Sequence, residues 1–295
     1  MNIAVITVFC NEIFRLDRWE QYYNEYKNEV SLHVIVNNGN KEHSEIIKAR
    51  FPNSIVLDCP SPNLLKAYNI GLKYVLSSHE IDAIMQITND VQFKPGAINL
   101  LYNTLFAHED FGIVGPTVLQ KESNIIESQG VLFKGFDSQF LNRGAKMQTP
   151  QEDFMLVSWI PAGVIMMKRT AVEKIGFQDE SINMYCDELD MAYRLQTMGY
   201  KEAIIPQAIS WHQHVNYPGS SGRSTRVYYL SSRNHIYIIK KHFGVTSAIL
   251  YSIKRIFYES TLVLYHLFTF KFSKIPFDWI KIRGVFHGLI GDMSR

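Results

Sequence analysis

The sequence predicts an α/β fold with a mainly parallel sheet, and three observations support this class. Nearly all-apolar runs are typical of strands buried on both faces, and they occur at 3–9, 32–36 and 81–87. Segments with helical periodicity separate these runs, at 11–27, 42–50 and 63–76. Alternation of this kind requires right-handed crossovers, which place successive strands side by side and parallel.

Later segments continue the alternation and then depart from it. A short strand is expected at 54–57, a helix from Pro95 to about residue 107, and a strand from 112. The segments 125–133 and 155–167 are typical of strands in a mixed or antiparallel region. An acidic helix from about 187 to 198 and a strand at 203–205 follow. Ligands of such sheets bind beyond the carboxyl ends of the strands, which directs attention to 9–12, 37–40 and 88–90.

Charge is distributed unevenly along the 295 residues. Residues 1–220 contain 18 Lys/Arg and 25 Asp/Glu, whereas 221–295 contain 12 Lys/Arg and 3 Asp/Glu. This contrast predicts two domains, a catalytic body at 1–220 and a basic amphipathic helical extension at 221–295. Three cysteines without a pairing pattern, no signal-peptide start and no apolar run of about 20 residues indicate a cytoplasmic protein.

Three carboxylates in four positions, Asp187, Glu188 and Asp190, begin the acidic helix. Asp187 and Asp190 share one helix face, while Glu188 points about 100° away from Asp187. The arrangement suits a site where one carboxylate accepts a proton and its neighbours position it. Because acids also favour the first turn of any helix, the cluster alone leaves a purely structural interpretation open.

Two further segments contain groups suited to metal or sugar binding. Asp90 follows a predicted strand, where a carboxylate can bind a hard cation together with substrate phosphates. His212 and His214 are two apart in an extended segment, and either could be a metal ligand. Trp159 offers a flat surface to a sugar ring, and Gly163 allows close approach to the backbone. Each feature also has an ordinary structural explanation.

The order of these segments resembles glycosyltransferase family 2, whose members are inverting enzymes with the GT-A fold. Each matching segment is weak alone, but the ordered set extends over about residues 3–243 and is specific. The matching segments are 7–11, 35–40, 63–71, 88–90 (Thr-Asn-Asp), 112–116, 174–180, 187–200 (beginning Asp-Glu-Leu-Asp), 206–212 and 233–234 (Arg-Asn).

The resemblance implies roles for particular residues. Glu188 would be the catalytic base, supported by Asp187 and Asp190, and Asp90 with His212 would hold Mn²⁺ or Mg²⁺. Trp159 and Gly163 would shape the acceptor side. The side chains implied at the nucleotide sugar are Thr7, Asn11, Glu12, Asn37, Asn69, Asn89, Arg223 and Arg226.

Three positions depart from the family pattern. Asn37 stands where the family usually has Asp, which exchanges one nucleotide contact. Thr88 stands where a first acidic or Asn residue is common, leaving Asp90 as the main carboxylate for metal. The pair Asp187–Glu188 reverses the usual Glu-Asp order, which leaves open which of the two accepts the proton.

The implied activity is transfer of a sugar from a nucleotide diphosphate donor to a carbohydrate hydroxyl, with inversion. The whole-chain pattern is most similar to rhamnosyl- and galactofuranosyltransferases of bacterial surface polysaccharide, acting on a saccharide or lipid-linked saccharide acceptor. Two other classes remain open, a nucleotidyltransferase and a non-catalytic sugar-nucleotide-binding partner. The lack of a Gly-rich phosphate loop argues against a nucleotidyltransferase. The retained acids at 187, 188 and 190 argue against a non-catalytic binding partner.

The basic C-terminal segment has apolar residues at helical spacing, Ile249, Ile253 and Phe257, beside Lys254 and Arg255. This pattern predicts an amphipathic surface that lies on an anionic membrane, at the inner face of the cytoplasmic membrane. Packing against the body or a second subunit of a homo-oligomer is the alternative. No recognition motif favours nucleic acid as a partner.

Overall fold

A computed structural model describes residues 1–77, 80–121, 123–161, 163–212 and 224–294. The strands are β1 (Ile3–Phe9), β2 (Leu32–Asn37), β3 (Ile55–Asp58), β4 (Ala83–Ile87), β5 (Val91–Phe93), β6 (Phe111–Gln120), β7 (Ile126–Ser128), β8 (Val131–Lys134), β9 (Asp137–Phe140), β10 (Met155–Val157), β11 (Val164–Lys168) and β12 (Lys201–His212). The helices are α1 (Leu16–Tyr26), α2 (Glu42–Arg50), α3 (Leu64–Leu76), α4 (Ala97–Ala107), α5 (Arg169–Ile175), α6 (Asp187–Thr197), α7 (Thr225–Phe268) and α8 (Ile275–Ile290).

Most strands join one mixed sheet in the order β10-β12-β6-β11-β4-β1-β2-β3. The half formed by β4, β1, β2 and β3 is parallel, as the strand–helix alternation predicts. Strand β11 enters antiparallel between β4 and β6, and β12 pairs parallel with β6. The predicted α/β class is therefore confirmed, and each antiparallel pairing of the sheet involves a strand that follows β4 in the chain.

Apolar residues of the central strands are buried on both faces of this sheet. One core cluster contains Ile6, Val36 and Ile84, and another contains Val5, Met85 and Val114. Helix α3 packs closely because Gly71 has no side chain: a Cβ there would lie 2.7 Å from Ile6 Cγ2. The close packing holds the parallel strands, and hence their carboxyl ends, in fixed register.

One predicted strand differs in length from the strand observed. The segment 155–167, expected to form strands, contains β10 and most of β11, with Trp159 and Ile160 between them. The strand expected at 203–205 is far longer and reaches His212. The sequence does not indicate this length, because proline has no N–H to donate to a neighbouring strand and Pro206 therefore suggests the end of the strand. Strand β12 accommodates Pro206 at an irregularity in its register with β6, between Ile205 and Ile209.

The chain divides into two compact units. The first comprises Met1–Glu180 and Met191–His214, and the second Ser181–Asp190 and Val215–Arg295. The second unit contains the expected C-terminal helices, and it also takes in the residues that lead into the acidic helix α6. The predicted link at 218–222 lies outside the described residues.

Helix α7 is interrupted at Gly244, whose backbone (φ 84°, ψ 170°) is not helical. The segments 225–243 and 245–268 fold back on each other, with the rings of His235 and Tyr251 5.2 Å apart. Helix α8 packs on the first segment through Gly284 and Gly288, where a Cβ would lie 2.6 and 2.2 Å from backbone carbonyls. Among the helices in the described part of the chain, none combines the length and apolarity needed to cross a bilayer.

Candidate functional site

Asp90 and His212 meet in the first unit although 122 positions separate them. Asp90 follows β4, and β5 immediately after it pairs antiparallel with the end of β12, setting Val91 opposite His212. His212 Nε2 lies 3.1 Å from Asp90 Oδ1. On the other side of the ring, Nδ1 lies 3.0 Å from Oε1 of Glu127, the central residue of β7. An imidazole that is only 11% exposed is thus held between two carboxylates.

The two carboxylates determine the charge of His212. Burial opposes protonation, but the hydrogen bonds and charges of Asp90 and Glu127 outweigh it and raise the pKa of His212 to about 9. For Asp90, burial favours the neutral acid, yet hydrogen bonding and charge from His212 and Arg15 hold its pKa below the usual value. Without a bound ligand, the pair is therefore an imidazolium facing a carboxylate.

Arg15 provides a second cation at the same carboxylate. It follows β1 by six positions, and its guanidinium lies 3.1 Å from Asp90 Oδ2. It also donates to Asn89 Oδ1 at 2.9 Å and pairs with Glu12 at 3.3 Å. Asn89 in turn donates to Glu12 at 2.8 Å. Glu12 and Asn89, both predicted at the nucleotide, therefore belong to one polar network with Asp90.

The donor set at Asp90 and His212 fits a divalent cation. The separation of 3.1 Å between Nε2 and Oδ1 would allow an imidazole nitrogen and a carboxylate oxygen to bind one cation. His212 would bind as a neutral imidazole, after losing its proton. No group of three or more His, Cys, Asp or Glu suited to a metal occurs among the described residues.

Asn11 lies in the loop that follows β1, and Asn37 is the last residue of β2. The Asn11 backbone is left-handed (φ 57°), and its Oδ1 accepts a 2.9 Å hydrogen bond from the Asn40 N–H. The amide of Asn37 donates to the Asn40 carbonyl at 2.9 Å and to Ser44 Oγ at 2.8 Å. Its Oδ1 is buried and has no hydrogen-bond partner among the described residues. The structure thus brings both predicted residues to one pair of strand ends.

Two residues predicted at the nucleotide, Thr7 and Asn69, have side chains that bind other parts of the protein. Thr7 is fully buried, and its hydroxyl lies 3.4 Å from His33 Nε2, so its side chain points into the core. Asn69 uses its whole amide: it donates to Gln178 O at 2.9 Å and to Glu180 Oε1 at 3.0 Å, and accepts from Gln178 N at 2.9 Å. Thr7 therefore stabilises the core, and Asn69 positions the segment at 178–180.

The two residues expected at the acceptor occupy different environments. Trp159 is only 9% exposed and packs edge-on against Phe140, so little of its ring is available to a saccharide. Gly163 lies beside the metal-binding candidates, since a Cβ there would be 4.0 Å from the His212 ring. Its carbonyl accepts a 3.0 Å hydrogen bond from the Thr88 N–H. Gly163 thus leaves space next to His212, whereas the ring of Trp159 is mostly enclosed by protein.

The three acids begin α6 and have different surroundings. Asp190 is completely buried and lies 2.8 Å from both His242 Nε2 and Lys241 Nζ, near the end of the first segment of α7. Burial and the nearby charge of Asp190 raise the pKa of Asp187 to about 6, although its own backbone N–H and Glu188 oppose the change. Glu188 is less buried than the other two acids, Asp187 and Asp190. The cluster is therefore more than a surface helix terminus.

The backbone leading into the acids is strained. Asn183, Tyr185 and Cys186 all have positive φ, at 67°, 67° and 63°, a region that costs a non-glycine residue about 1–3 kcal/mol. Asn234 of α7 holds this turn, because its amide donates to the carbonyls of Ile182 (3.2 Å), Met184 (2.8 Å) and Tyr185 (2.9 Å). Buried Arg233 also donates to Ile182 O, at 3.2 Å.

Sequence reasoning missed several of these residues. Arg15, Glu127 and His242 were not singled out, because nothing local to 15, 127 or 242 indicates which distant carboxylate or ring each one meets. The resemblance includes the Arg233–Asn234 pair but implies no role for it. Arg226 is exposed in the first turn of α7, whereas Arg223 and His214 lie outside the described residues.

The contacts of Asn234 predict a measurable loss of order. Asn234→Ala removes three hydrogen bonds from a strained turn, so amides at 183–188 should exchange with deuterium faster and unfolding free energy should fall by about 2 kcal/mol. Asn234→Asp, which keeps the shape but loses the donors, should behave alike, whereas Thr246→Ala on the exposed side of α7 should change neither. Unaltered exchange at 183–188 in both Asn234 variants would contradict this role.

The chain is similar in sequence to known sugar-transferring enzymes. No model of a protein family matches the chain. It is 21% identical over 175 residues to an N-acetylglucosaminyl-diphospho-decaprenol L-rhamnosyltransferase of Mycobacterium tuberculosis, covering 55% of this chain and 57% of that relative. It therefore spans just over half the length of this relative. It is 23% identical over 232 residues to the low-salt glycan biosynthesis hexosyltransferase Agl10 of Haloferax volcanii, covering 75% and 70%.

Solved structures show the same fold at low identity. GalNAc-T7 with UDP, GalNAc and Mn²⁺ matches with a TM-score of 0.63 and 13% identity, over 81% of this chain and 48% of that one. The mannosyltransferase PcManGT of Pyrobaculum calidifontis, in complex with GDP-Man and Mn²⁺, matches with a TM-score of 0.60 and 11% identity, over 99% and 88%. The predicted resemblance to family 2 glycosyltransferases is thus confirmed, and the α/β domain has the GT-A fold.

Proposed function

We propose that this protein is an inverting glycosyltransferase that moves a sugar from a nucleotide diphosphate to a hydroxyl of a carbohydrate acceptor. The observation that supports this most is the contact between Asp90 and His212 at the strand ends of a GT-A fold, where a carboxylate oxygen and an imidazole nitrogen are 3.1 Å apart. Such a pair can bind a divalent cation and, through it, the oxygens of a diphosphate.

On the donor side, the chain supplies both ligands and positioning groups. A divalent ion held by Asp90 and His212 would neutralise charge on the departing diphosphate. Arg15 fixes the second oxygen of Asp90, and the Glu12–Asn89 contact completes its surroundings. Asn11, in the loop after β1, and Asn37, at the end of β2, are proposed to border the nucleotide. The exposed Arg226 is proposed to contact its phosphates.

On the acceptor side, Glu188 is proposed as the base. As the acceptor oxygen forms a bond to the anomeric carbon, the bond from that carbon to the diphosphate oxygen breaks, and the acceptor proton passes to Glu188. Attack opposite the leaving group inverts the anomeric centre. Buried Asp190, paired with His242 and Lys241, holds the first turn of α6, so that Asp187 and Glu188 keep their places.

The substrates are proposed from the relatives. A rhamnosyltransferase named for a diphospho-decaprenol acceptor and a hexosyltransferase of glycan biosynthesis both favour a hexose-type donor and a glycan acceptor. We propose a rhamnosyl or galactofuranosyl donor and a lipid-linked saccharide acceptor. The reaction would take place in the cytoplasm at the inner face of the membrane, in assembly of surface polysaccharide.

The reaction class can be tested by measuring release of the nucleoside diphosphate. The protein is incubated with a panel of nucleotide sugars, Mn²⁺ or Mg²⁺ and lipid-linked or free saccharide acceptors. At least one donor should release diphosphate in an acceptor-dependent manner, and Glu188→Gln should lower kcat by at least about 100-fold, since a general base contributes 10²–10⁴-fold. Glu173→Gln, at an exposed carboxylate of α5, is the matched control. Release from no donor, or full activity of Glu188→Gln, would refute the proposal.

The raised pKa of Asp187 predicts the pH dependence. Because that carboxyl ionises only as the pH rises through about 6, the Asp187–Glu188 pair retains a proton below this value and accepts another less readily. The kcat/KM for the active donor should therefore decrease as the pH falls through about 6. Asp187→Asn should shift this limb to lower pH, and Asp110→Asn, at an exposed carboxylate, should not. A profile that stays flat from pH 5 to 7 would contradict the role of the pair.

A further inference from the structure

The second segment of α7 (245–268) has two opposed apolar faces. One is buried against the other helices of its unit and includes Ala248, Tyr251 and Val263. The other is exposed and consists of Leu250, Ile253, Phe257, Leu264 and Phe268, at 64, 61, 76, 55 and 81% exposure. At 100° per residue these five side chains fall within about 60° of one another around the helix. They form a continuous stripe about 27 Å long, from 18 residue steps of 1.5 Å.

The stripe ends at an aromatic corner between α7 and α8. Phe270 is 80% exposed and Phe272 56%, so that, with Phe268, three phenyl rings protrude within five residues. Lys271 and Lys274 are exposed in the same corner. Helix α8 exposes a second apolar series, Trp279, Phe286 and Ile290. An exposed apolar surface of this extent on a folded unit is typical of a binding surface.

Charge identifies the partner that this surface fits. The stretch 245–283 contains six Lys/Arg and two carboxylates, Glu259 and Asp278. Both carboxylates are buried, at 1 and 3% exposure. Glu259 pairs with Arg255 at 2.7 Å and Lys281 at 3.0 Å, and Asp278 pairs with His266 at 2.7 Å. The exposed charges of this described stretch are therefore all positive.

We infer that the stripe and the aromatic corner form a docking surface for an anionic lipid bilayer, on which 245–268 lies in the plane of the interface. Apolar and aromatic side chains would enter the boundary between headgroups and acyl chains, and Lys254, Lys271 and Lys274 would contact anionic headgroups. A second copy of the chain fits less well, because a self-complementary contact would bring like charges together without an exposed carboxylate to pair them.

Flotation of the full chain with vesicles tests this inference independently of any catalytic activity. The protein is mixed with one of two kinds of vesicle. The first contains phosphatidylcholine alone, and the second contains about 30 mol% phosphatidylglycerol as well, which gives a surface potential of the order found on anionic leaflets. We expect flotation with the anionic vesicles, weaker at high salt, and little with phosphatidylcholine alone.

Two sets of variants separate the apolar and charge contributions. The triple variant Phe257→Ser, Leu264→Ser, Phe268→Ser should reduce partitioning at least about tenfold. The double variant Lys271→Gln, Lys274→Gln should reduce it about thirtyfold on anionic vesicles, from about 1 kcal/mol per lysine. Ile46→Ser, at an apolar residue of α2 that is 51% exposed, is the matched control and should float like the wild type. Circular dichroism checks that each variant is folded.

Three outcomes would overturn the inference: no flotation of the wild type, flotation of the triple variant at the wild-type level, or equal flotation with both vesicle types. Sedimentation analysis identifies the alternative occupant. If the wild type sediments as a dimer that the triple variant dissociates, and does not float, the surface is an interface between two copies.

Discussion

The contact between Asp90 and His212 depends on a strand arrangement that no short segment of the chain could specify. β12 must run for twelve residues beside β6, pass the irregularity at Pro206 and then pair with β5 for His212 to reach Asp90. Once there, the imidazole stays in place because Glu127 binds its other nitrogen. A ring fixed on both sides loses little conformational freedom on binding a ligand, so the pair is pre-organised. The proposed donor chemistry of the first unit rests on this contact.

In the second unit, hydrogen bonds and ion pairs from α7 hold the acids at the start of α6. Three non-glycine residues with positive φ store strain just before α6, and Asn234 and Arg233 offset it through hydrogen bonds to the carbonyls of the turn. Asp190 is then neutralised in the interior by His242 and Lys241. A buried carboxylate without such partners would be unstable. The outcome is a helix start in which Asp187 has a raised pKa and Glu188 remains more accessible, a division of roles suited to proton transfer.

Regular periodicity made much of the fold predictable. The parallel half, β1 to β4 with its helices, follows from apolar runs that alternate with amphipathic segments, and the C-terminal helices follow from their apolar spacing and basic charge. The length of β12 could not be predicted in this way, because a proline normally indicates the end of a strand. Among the site residues, Asp90 and His212 could be paired only through the resemblance. The buried environments of Thr7, Asn69 and Trp159 could not be predicted, since sequence shows which side chains are polar or flat but not which way they point.

Binding of Mn²⁺ tests the account's central claim, that Asp90 and His212 form the metal site for the donor diphosphate. Calorimetric titration of Mn²⁺ with inorganic pyrophosphate present should show one site per chain in the wild type. Asp90→Asn and His212→Ala should each weaken binding at least about tenfold. Asp110→Asn, which removes an exposed carboxylate of the same unit, should leave it unchanged. Wild-type affinity in the Asp90 and His212 variants, or no saturable Mn²⁺ binding by the wild type, would contradict the account.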